Sequence, residues 1–385
     1  MIVLNRRVNL VVCQKSKVSD WVDHFRQFYS ECLVYDVSRK KDCEEFFQEC
    51  DSQIIGVINY DLIFRRPQFK QLQDFTLMLD ESSLIQNSKA KRTKFILKMN
   101  PSNVILLSGT PTSGKYENLW SQMHLLGWDI SQDTYNKQYV NWKNIFVGGM
   151  VRKIVDKDDP YKNVDRLKQK MREHGAVFMK TEECFDLPEQ TFITVNCQST
   201  KEYMKFKKES VINLVTDSGE IELIGDSTLA KRQYLRMLCG QYNKEKLESF
   251  KDLAESTQDR LIVFYNFNEE LNQLKKIATE LERPISEVNG HVKDLTAYEH
   301  ENNSITFVQY QSGSMGLNLQ KANKIIYFTL PLLSEHFEQS KKRIHRIGQT
   351  NTCFYYLMVC KNSIEEEIFE VLKMRKDFTD ELFRE

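Results

Sequence analysis

Short apolar runs separated by stretches of helical period constrain this chain more than any other feature in it. Asn9–Cys13 (NLVVC), Gln53–Asn59 (QIIGVIN), Phe75–Leu79 (FTLML) and Asn103–Leu107 read as buried strands. Between the first two, Val18, Trp21, Val22, Phe25 and Phe28 recur at the spacing of one helix face. Apolar strands alternating with helices predict a parallel α/β sheet, and in such a sheet chemistry gathers at the carboxyl ends of the strands. Asp80-Glu81-Ser82-Ser83 and Ser108-Gly109-Thr110-Pro111 fall at two of those ends.

The pattern loosens between about residues 115 and 180, where tryptophans stand at 120, 128 and 142 and a charged stretch covers Lys153–Asp159. A helix over Val164–His174 and a short strand over Ala176–Met179 are expected before a linker at Thr181–Gln190, which contains Pro188. A long Lys/Glu-rich helical region follows, interrupted around Thr216–Asp226. From Arg260 the alternation resumes: Leu261–Tyr265, Ile305–Tyr310, Lys324–Phe328 and Cys353–Val359 read as strands and Asn268–Leu281 as a helix. Ser363-Ile364-Glu365-Glu366 has the pattern of a capping box for the last helix. Two α/β domains are therefore expected, over residues 1–185 and 186–385.

Lys plus Arg and Asp plus Glu both number 54 in the 385 residues, so nucleic acid would have to be held by local patches rather than by an overall positive field. The nine cysteines form no C-x-x-C pair and the seven histidines no ligand pattern. That argues against a zinc site or a disulfide framework and for a reducing cytoplasm. No apolar run reaches the ~18 residues of a membrane span, so no membrane partner is expected. Nothing like G-x-S-x-G supports a serine hydrolase.

Gln339–Gln349 (QSKKRIHRIGQ) places Arg343 and Arg346 three apart, on one side of an expected helix, where both can face one anion. Arginine suits a transferring phosphate because its planar fork of donors stays charged. A solvated basic helix carries the same spacing. The full pattern resembles the last motif of Swi/Snf-like DNA translocases, a branch of the superfamily-two helicases. Three further stretches resemble that family's motifs in the expected order: DESSLIQN (Asp80–Asn87), SGTPT (Ser108–Thr112) and QSGSMGLNL (Gln311–Leu319). VNLVVCQKSKVSDW (Val8–Trp21) and LIVFYNFNEEL (Leu261–Leu271) resemble two more. Compactness and the Tyr-Asn-Phe and Phe-Val-Gln-Tyr-Gln runs extend the likeness to phage-encoded members.

The resemblance implies two RecA-like domains with ATP bound between them. It implies that Asp80 holds Mg²⁺, that Glu81 orients the attacking water, and that Arg343 and Arg346 neutralise charge on the γ-phosphate. Gly313, Gly316, Asn318 and Gln339 are implied at the nucleotide, and Ser108, Gly109 and Thr110 in coupling it to DNA. Lys15 and Ser16 are implied at the DNA backbone. Lys89 opens a basic cluster with Lys91, Arg92, Lys94 and Lys98 that reads equally as a backbone contact or a solvated face. Ser83 departs from the family, where many members carry His.

Gly109–Lys115 (GTPTSGK) also fits the G-x-x-x-x-G-K phosphate loop. It departs at Tyr116, where a hydroxyl should reach Mg²⁺, and Pro111 removes a backbone donor from a loop built to supply them. The family's own phosphate loop precedes the motif at Val8–Trp21, and here only seven residues do. The first domain is thus expected to be incomplete at its N-terminus, with weak ATP binding and little hydrolysis. Two rivals stand beside this: a non-catalytic DNA- or partner-binding module, and a split enzyme whose phosphate loop comes from a separate polypeptide. The latter predicts an exposed apolar sheet edge.

Overall fold

The computed structural model describes residues 1–4, 6–48, 51–179, 185–216, 219–313 and 316–383. The chain forms two compact units, Met1–Phe178 with Arg375–Glu385, and Met179–Met374.

In the first unit β1 (Val8–Cys13), β2 (Leu33–Asp36), β3 (Ile54–Asn59), β4 (Phe75–Asp80) and β5 (Asn103–Leu107) make an all-parallel sheet in the order β2-β3-β1-β4-β5. Strand side chains alternate between faces, and both faces here are covered, which is why the central runs are apolar throughout. Leu10, Val12, Ile58, Leu77 and Leu79 face one core with Phe46, Tyr60, Phe69 and Phe95. Val11, Cys13, Ile55, Val57 and Met78 face the other, where the helix Val18–Phe28 lays down Val18, Val22 and Phe25. Gly56 in β3 has a packing reason, because a Cβ there would stand 2.8 Å from the Phe46 ring.

β5 is an edge strand. Its residues are only half-buried, and Leu107 is 40% exposed. β6 (Trp142–Val147) and β7 (Met150–Val155) form a separate antiparallel hairpin. It rises from a small aromatic core of Tyr116, Tyr135, Tyr139, Leu167 and Met171. Residues 176–179 form no strand, against expectation: Ala176 and Phe178 pack on that aromatic core, while Val177 and Met179 are exposed.

The second unit contributes β8 (Gln190–Cys197), the hairpin β9 (Val211–Thr216) with β10 (Gly219–Ile224), β11 (Leu261–Tyr265), β12 (Ile285–Val288), β13 (Lys293–Asp294), β14 (Ile305–Gln309), β15 (Lys324–Tyr327) and β16 (Cys353–Cys360). Its main sheet runs β13-β12-β14-β11-β15-β16-β8 and is parallel except for the β12–β13 pair. β8 begins inside the expected linker, of which residues 181–184 lie outside the described residues, and pairs with the whole of β16 from Gln190↔Cys353 to Cys197↔Cys360. The expected helical region contains Lys201–Glu209, Thr228–Cys239 and Lys244–Glu255, with the β9–β10 hairpin between the first two.

The capping box at Ser363 is shifted. Glu366 accepts the Asn362 amide at 2.8 Å, one residue before the expected partner, and the Ser363 hydroxyl accepts from Glu365 at 3.0 Å. No helix among the described residues is long and apolar enough to cross a membrane.

Candidate functional site

In the first sheet β1 leads toward β2 on one side and β4 toward β5 on the other, so the carboxyl ends of β1 and β4 flank a point where strand order reverses. Parallel sheets leave a crevice at such points. Asp80 is the last residue of β4, and its Oδ2 accepts the Trp21 indole N–H at 2.9 Å. The Tyr60 hydroxyl donates to the Asp80 carbonyl at 3.0 Å. Burial, then the charges of Asp80 and Glu81, hold the Tyr60 pKa well above the ordinary phenol value, so it stays a neutral donor. Burial, then Asp80, likewise pushes the Cys13 thiol up to about 12.

Glu81 leaves the strand in the left-handed region, φ 57° and ψ 59°, a conformation that costs an L-residue roughly 1–2 kcal/mol. The turn aims its carboxylate at the end of β5, where Oε1 accepts from the Ser108 hydroxyl at 2.9 Å and from the Ser83 hydroxyl at 3.1 Å. Ser83, the departure from the family pattern, is buried and touches the carboxylate itself. Ser108 also accepts the Thr110 amide at 3.2 Å.

Four backbone donors of the Gly109–Lys115 loop are engaged within it or by the adjoining Ser108. Besides Thr110, the Ser113 amide reaches the Thr110 carbonyl at 3.3 Å, Gly114 the Thr112 hydroxyl at 3.2 Å, and Lys115 the Thr112 carbonyl at 3.0 Å. A three-residue turn of 3-10 helix follows, in place of the helix N-terminus that a phosphate cradle needs. Sequence reasoning missed what ties this loop to the acidic segment. Gln86 donates to the Pro111 carbonyl at 2.9 Å and Gln122 to the same carbonyl at 2.6 Å; Ser82 donates to Gln122 at 2.8 Å, and Asn118 to Gln86 at 3.0 Å. Gln86 and Trp21 lay within recognised motifs, though nothing paired Trp21 with Asp80, and nothing in the sequence marks Gln122.

Arg343 and Arg346 do not share a helix face. The helix Ser334–Lys341 stops before them, and the carbonyls of the turns that follow are held from outside the helix. The Tyr355 hydroxyl donates to the Lys341 carbonyl at 3.1 Å and the Leu319 amide to the Arg343 carbonyl at 3.0 Å. Both arginines lie on the ensuing turns, half-buried, and Arg346 Nη1 donates to the Leu317 carbonyl at 3.2 Å. The closing Gln349 is a structural clasp whose amide donates to the Ala322 carbonyl at 2.8 Å and the Gln320 carbonyl at 3.1 Å. His345 Nε2 lies 2.9 Å from the Pro188 carbonyl. Gln339, inside the helix, donates to Glu335 at 3.4 Å. Gly313 ends the short helix Tyr310–Gly313, Gly316 has φ +65° and Asn318 is exposed. Ser314 and Met315 of the same motif lie outside the described residues.

The fold thus gathers Asp80, Glu81, Ser108 and Thr110 at one end of the first sheet, with Gly109 exposed beside them. Lys15 and Ser16 stand exposed on the single turn after β1, at that same end. The second unit gathers Arg343 and Arg346 with Gly316–Leu319. Lys89, Lys91, Lys94 and Lys98 are exposed on and around the helix Lys91–Ile96, but Arg92 is engaged, donating to the Leu84 carbonyl at 2.9 Å.

Residues 5–252 match the SNF2-related domain and residues 245–348 the helicase conserved C-terminal domain. The chain is 21% identical over 410 residues to the putative ATP-dependent helicase/translocase YwqA of Bacillus subtilis, covering 98% of this chain and 43% of that protein. It is 23% identical over 403 residues to the probable ATP-dependent DNA helicase CHR12 of Arabidopsis thaliana, covering 95% of this chain and 36% of that one. The chain therefore spans less than half the length of these relatives. Among solved structures, the Sulfolobus solfataricus SWI2/SNF2 ATPase core in complex with dsDNA aligns with a TM-score of 0.42 at 19% identity, over 97% of this chain and 82% of that one. Because the SNF2-related domain spans more than half of its residues, the chain belongs to the SNF2-related family.

Proposed function

We propose that the chain is part of an ATP-dependent DNA translocase that couples hydrolysis to movement along a DNA backbone. The carrying observation is the Glu81 carboxylate, turned out of its strand at a backbone cost and held by Ser108 and Ser83. A carboxylate so fixed at a sheet's carboxyl end is placed to orient a water and to accept its proton. Asp80 offers hard oxygen donors suited to Mg²⁺, which when bound would offset phosphate charge. Arg343 and Arg346 supply the cations for the γ-phosphate, and Ser108–Thr110 passes the state of Glu81 into the loop that Lys15 and Ser16 accompany at the DNA-facing end. The names of the relatives, ATP-dependent helicases, support this reading.

Hydrolysis by these 385 residues alone is weak in this proposal, and a segment bringing a phosphate-cradling loop restores it. The internal use of the Gly109–Lys115 amides and the half-buried apolar edge at β5 support that second part. The test is DNA-stimulated ATP hydrolysis with Glu81→Gln as the control, with and without an added strand–phosphate loop–helix polypeptide. Activity at the control level that rises on addition supports both parts. Strong activity without addition overturns the need for a second segment. DNA binding indifferent to ATP and to Glu81→Gln in both settings overturns the motor and leaves a binding module.

A further inference from the structure

The β6–β7 hairpin inverts the usual distribution of polarity in an exposed two-stranded ribbon. Its base is fixed: the Asn141 amide donates to the Pro160 carbonyl and the Asp156 amide to the Asn141 carbonyl, each at 2.9 Å, and Tyr161 stacks on the buried Tyr116 at 4.1 Å. Its tip is apolar and uncovered, with Phe146 81%, Met150 61% and Val151 58% exposed. A lone hairpin is marginal in water and ordinarily carries polar residues at its end. The turn is built by Gly148 and Gly149, at φ +58° and +76°, the pair of positive values that a tight two-residue hairpin requires. A Cβ on either would meet nothing within 4 Å, so the turn stands in open space and its glycines serve the bend alone.

Residues directly opposite share a face. Phe146 pairs with Val151 on one face and Val147 with Met150 on the other, so the ribbon ends in a thin apolar blade. Behind it the ribbon carries Lys143, Arg152 and Lys153 and no carboxylate, in a chain whose charges otherwise balance. Lys153 Nζ rests 5.3 Å from the centre of the Trp142 ring, and Lys143 reaches Asp158 only at 4.0 Å with both side chains exposed. An apolar wedge backed by cations matches the chemistry of a stacked, polyanionic duplex, where apolar side chains part a base step while lysine and arginine hold the flanking phosphates.

We propose that the Trp142–Val155 hairpin is a DNA-binding wedge, its tip seated at a base step and its Arg152 and Lys153 on phosphates. The inference rests on the DNA-translocase reading above and adds to it the element that opens or kinks the duplex.

The experiment uses the full chain, without ATP, and duplex DNA carrying a fluorescent base analogue that brightens on unstacking. Affinity is read by anisotropy across a salt series. Phe146→Ser with Met150→Ser should abolish the brightening and weaken binding roughly tenfold, as loss of a base–side-chain stack does, with the salt slope unchanged. Arg152→Ala with Lys153→Ala should lower the slope by about 1.8, the value for two phosphate contacts. Phe146→Leu should keep the brightening. Thermal melting equal to wild type confirms that the exposed substitutions leave the fold intact. Wild-type binding that neither pair alters overturns the wedge alone. A change of oligomeric state in place of DNA binding assigns the tip to a second copy and overturns it too. A wild-type chain that binds no DNA overturns the translocase reading itself.

Discussion

Ser108 donates its hydroxyl hydrogen to Oε1 of Glu81 at 2.9 Å while its oxygen accepts the Thr110 backbone N–H at 3.2 Å. One side chain therefore touches both the carboxylate proposed to handle water and the loop proposed to answer to DNA. Ser83 also donates to Glu81, at 3.1 Å.

Glu81 and Ser108 should separate by kinetics. Glu81→Gln removes the proton acceptor and should lower hydrolysis on the order of 10²–10⁴-fold with or without DNA. Ser108→Ala leaves the acceptor but unties it from the loop. Its expected effect is a loss of DNA stimulation of roughly tenfold, about one charge-assisted hydrogen bond, with DNA-independent turnover kept within a few-fold. Turnover is compared with and without DNA, the phosphate-loop segment being supplied. Equal losses under both conditions would remove the coupling role from Ser108.

Gln349 offers a sharper test of the arginine turn. Its amide N–H groups point at the carbonyls of Ala322 and Gln320, while its oxygen accepts the Thr350 and Asn351 amides at 3.1 and 3.0 Å. Gln349→Glu keeps the acceptor but turns a donor into a buried oxygen facing two carbonyls. The change should destabilise by about 1–3 kcal/mol and exceed Gln349→Ala. Urea unfolding checks the order; a milder effect for Glu would mean the clasp is not held by that amide.

How much of this was legible follows from where each residue's partners lie. β1, β3, β4, β11 and β14 stood out because both faces are covered and their sequences are mostly apolar, with no more than single internal polar residues such as Asn9, Thr76 and Thr306. β8 did not: it closes a sheet edge, its Thr191, Thr194 and Asn196 interrupt the apolar pattern, and its partner β16 is remote in sequence. Arg343 and Arg346 were legible as a pair but not as a turn, because the carbonyls of that turn are held by Tyr355 and Leu319, which no local pattern connects to it. The β6–β7 hairpin had a local signal, Gly148–Gly149 between apolar residues, obscured by the charged stretch beside it. Asp80, Glu81 and Ser108 were readable from strand ends; Trp21 and Gln122 meet them only through the fold.

Gly240 closes the helix Thr228–Cys239, and a Cβ there would stand 2.2 Å from Glu270 Oε1 and 2.9 Å from Thr329 Cγ2. Glu270 cannot retreat, since its other oxygen accepts the Asn266 and Phe267 amides at 2.9 and 3.1 Å and the Thr329 hydroxyl at 2.9 Å. Gly240→Ala should therefore cost about 1–3 kcal/mol through overpacking. A calorimetric transition left in place by Gly240→Ala would show that Glu270 has room to move.

Lys246 and Glu365 form a buried ion pair in the second unit, their side chains 0% and 2% exposed, with Nζ 2.7 and 2.8 Å from the two carboxylate oxygens. Glu365 also accepts the Cys360 amide at 2.9 Å. Lys246→Met leaves that carboxylate buried without its cation and should destabilise by about 3–5 kcal/mol. Adding Glu365→Gln removes the stranded charge but keeps an acceptor for Cys360, so the double variant should recover part of the loss. The pair also fixes a pH dependence. Burial alone would lower the Lys246 pKa, but the Glu365 carboxylate outweighs it and the net shift is upward. A lysine raised on folding stabilises fully below its unfolded value of about 10.4, and that contribution fades as pH rises through the folded value. The stability gap between wild type and Lys246→Met should hold steady from pH 7 to about 10 and narrow above it. Urea titrations across that range read the gap directly, and a gap that widens in alkali would mean Lys246 is neutral in the folded chain.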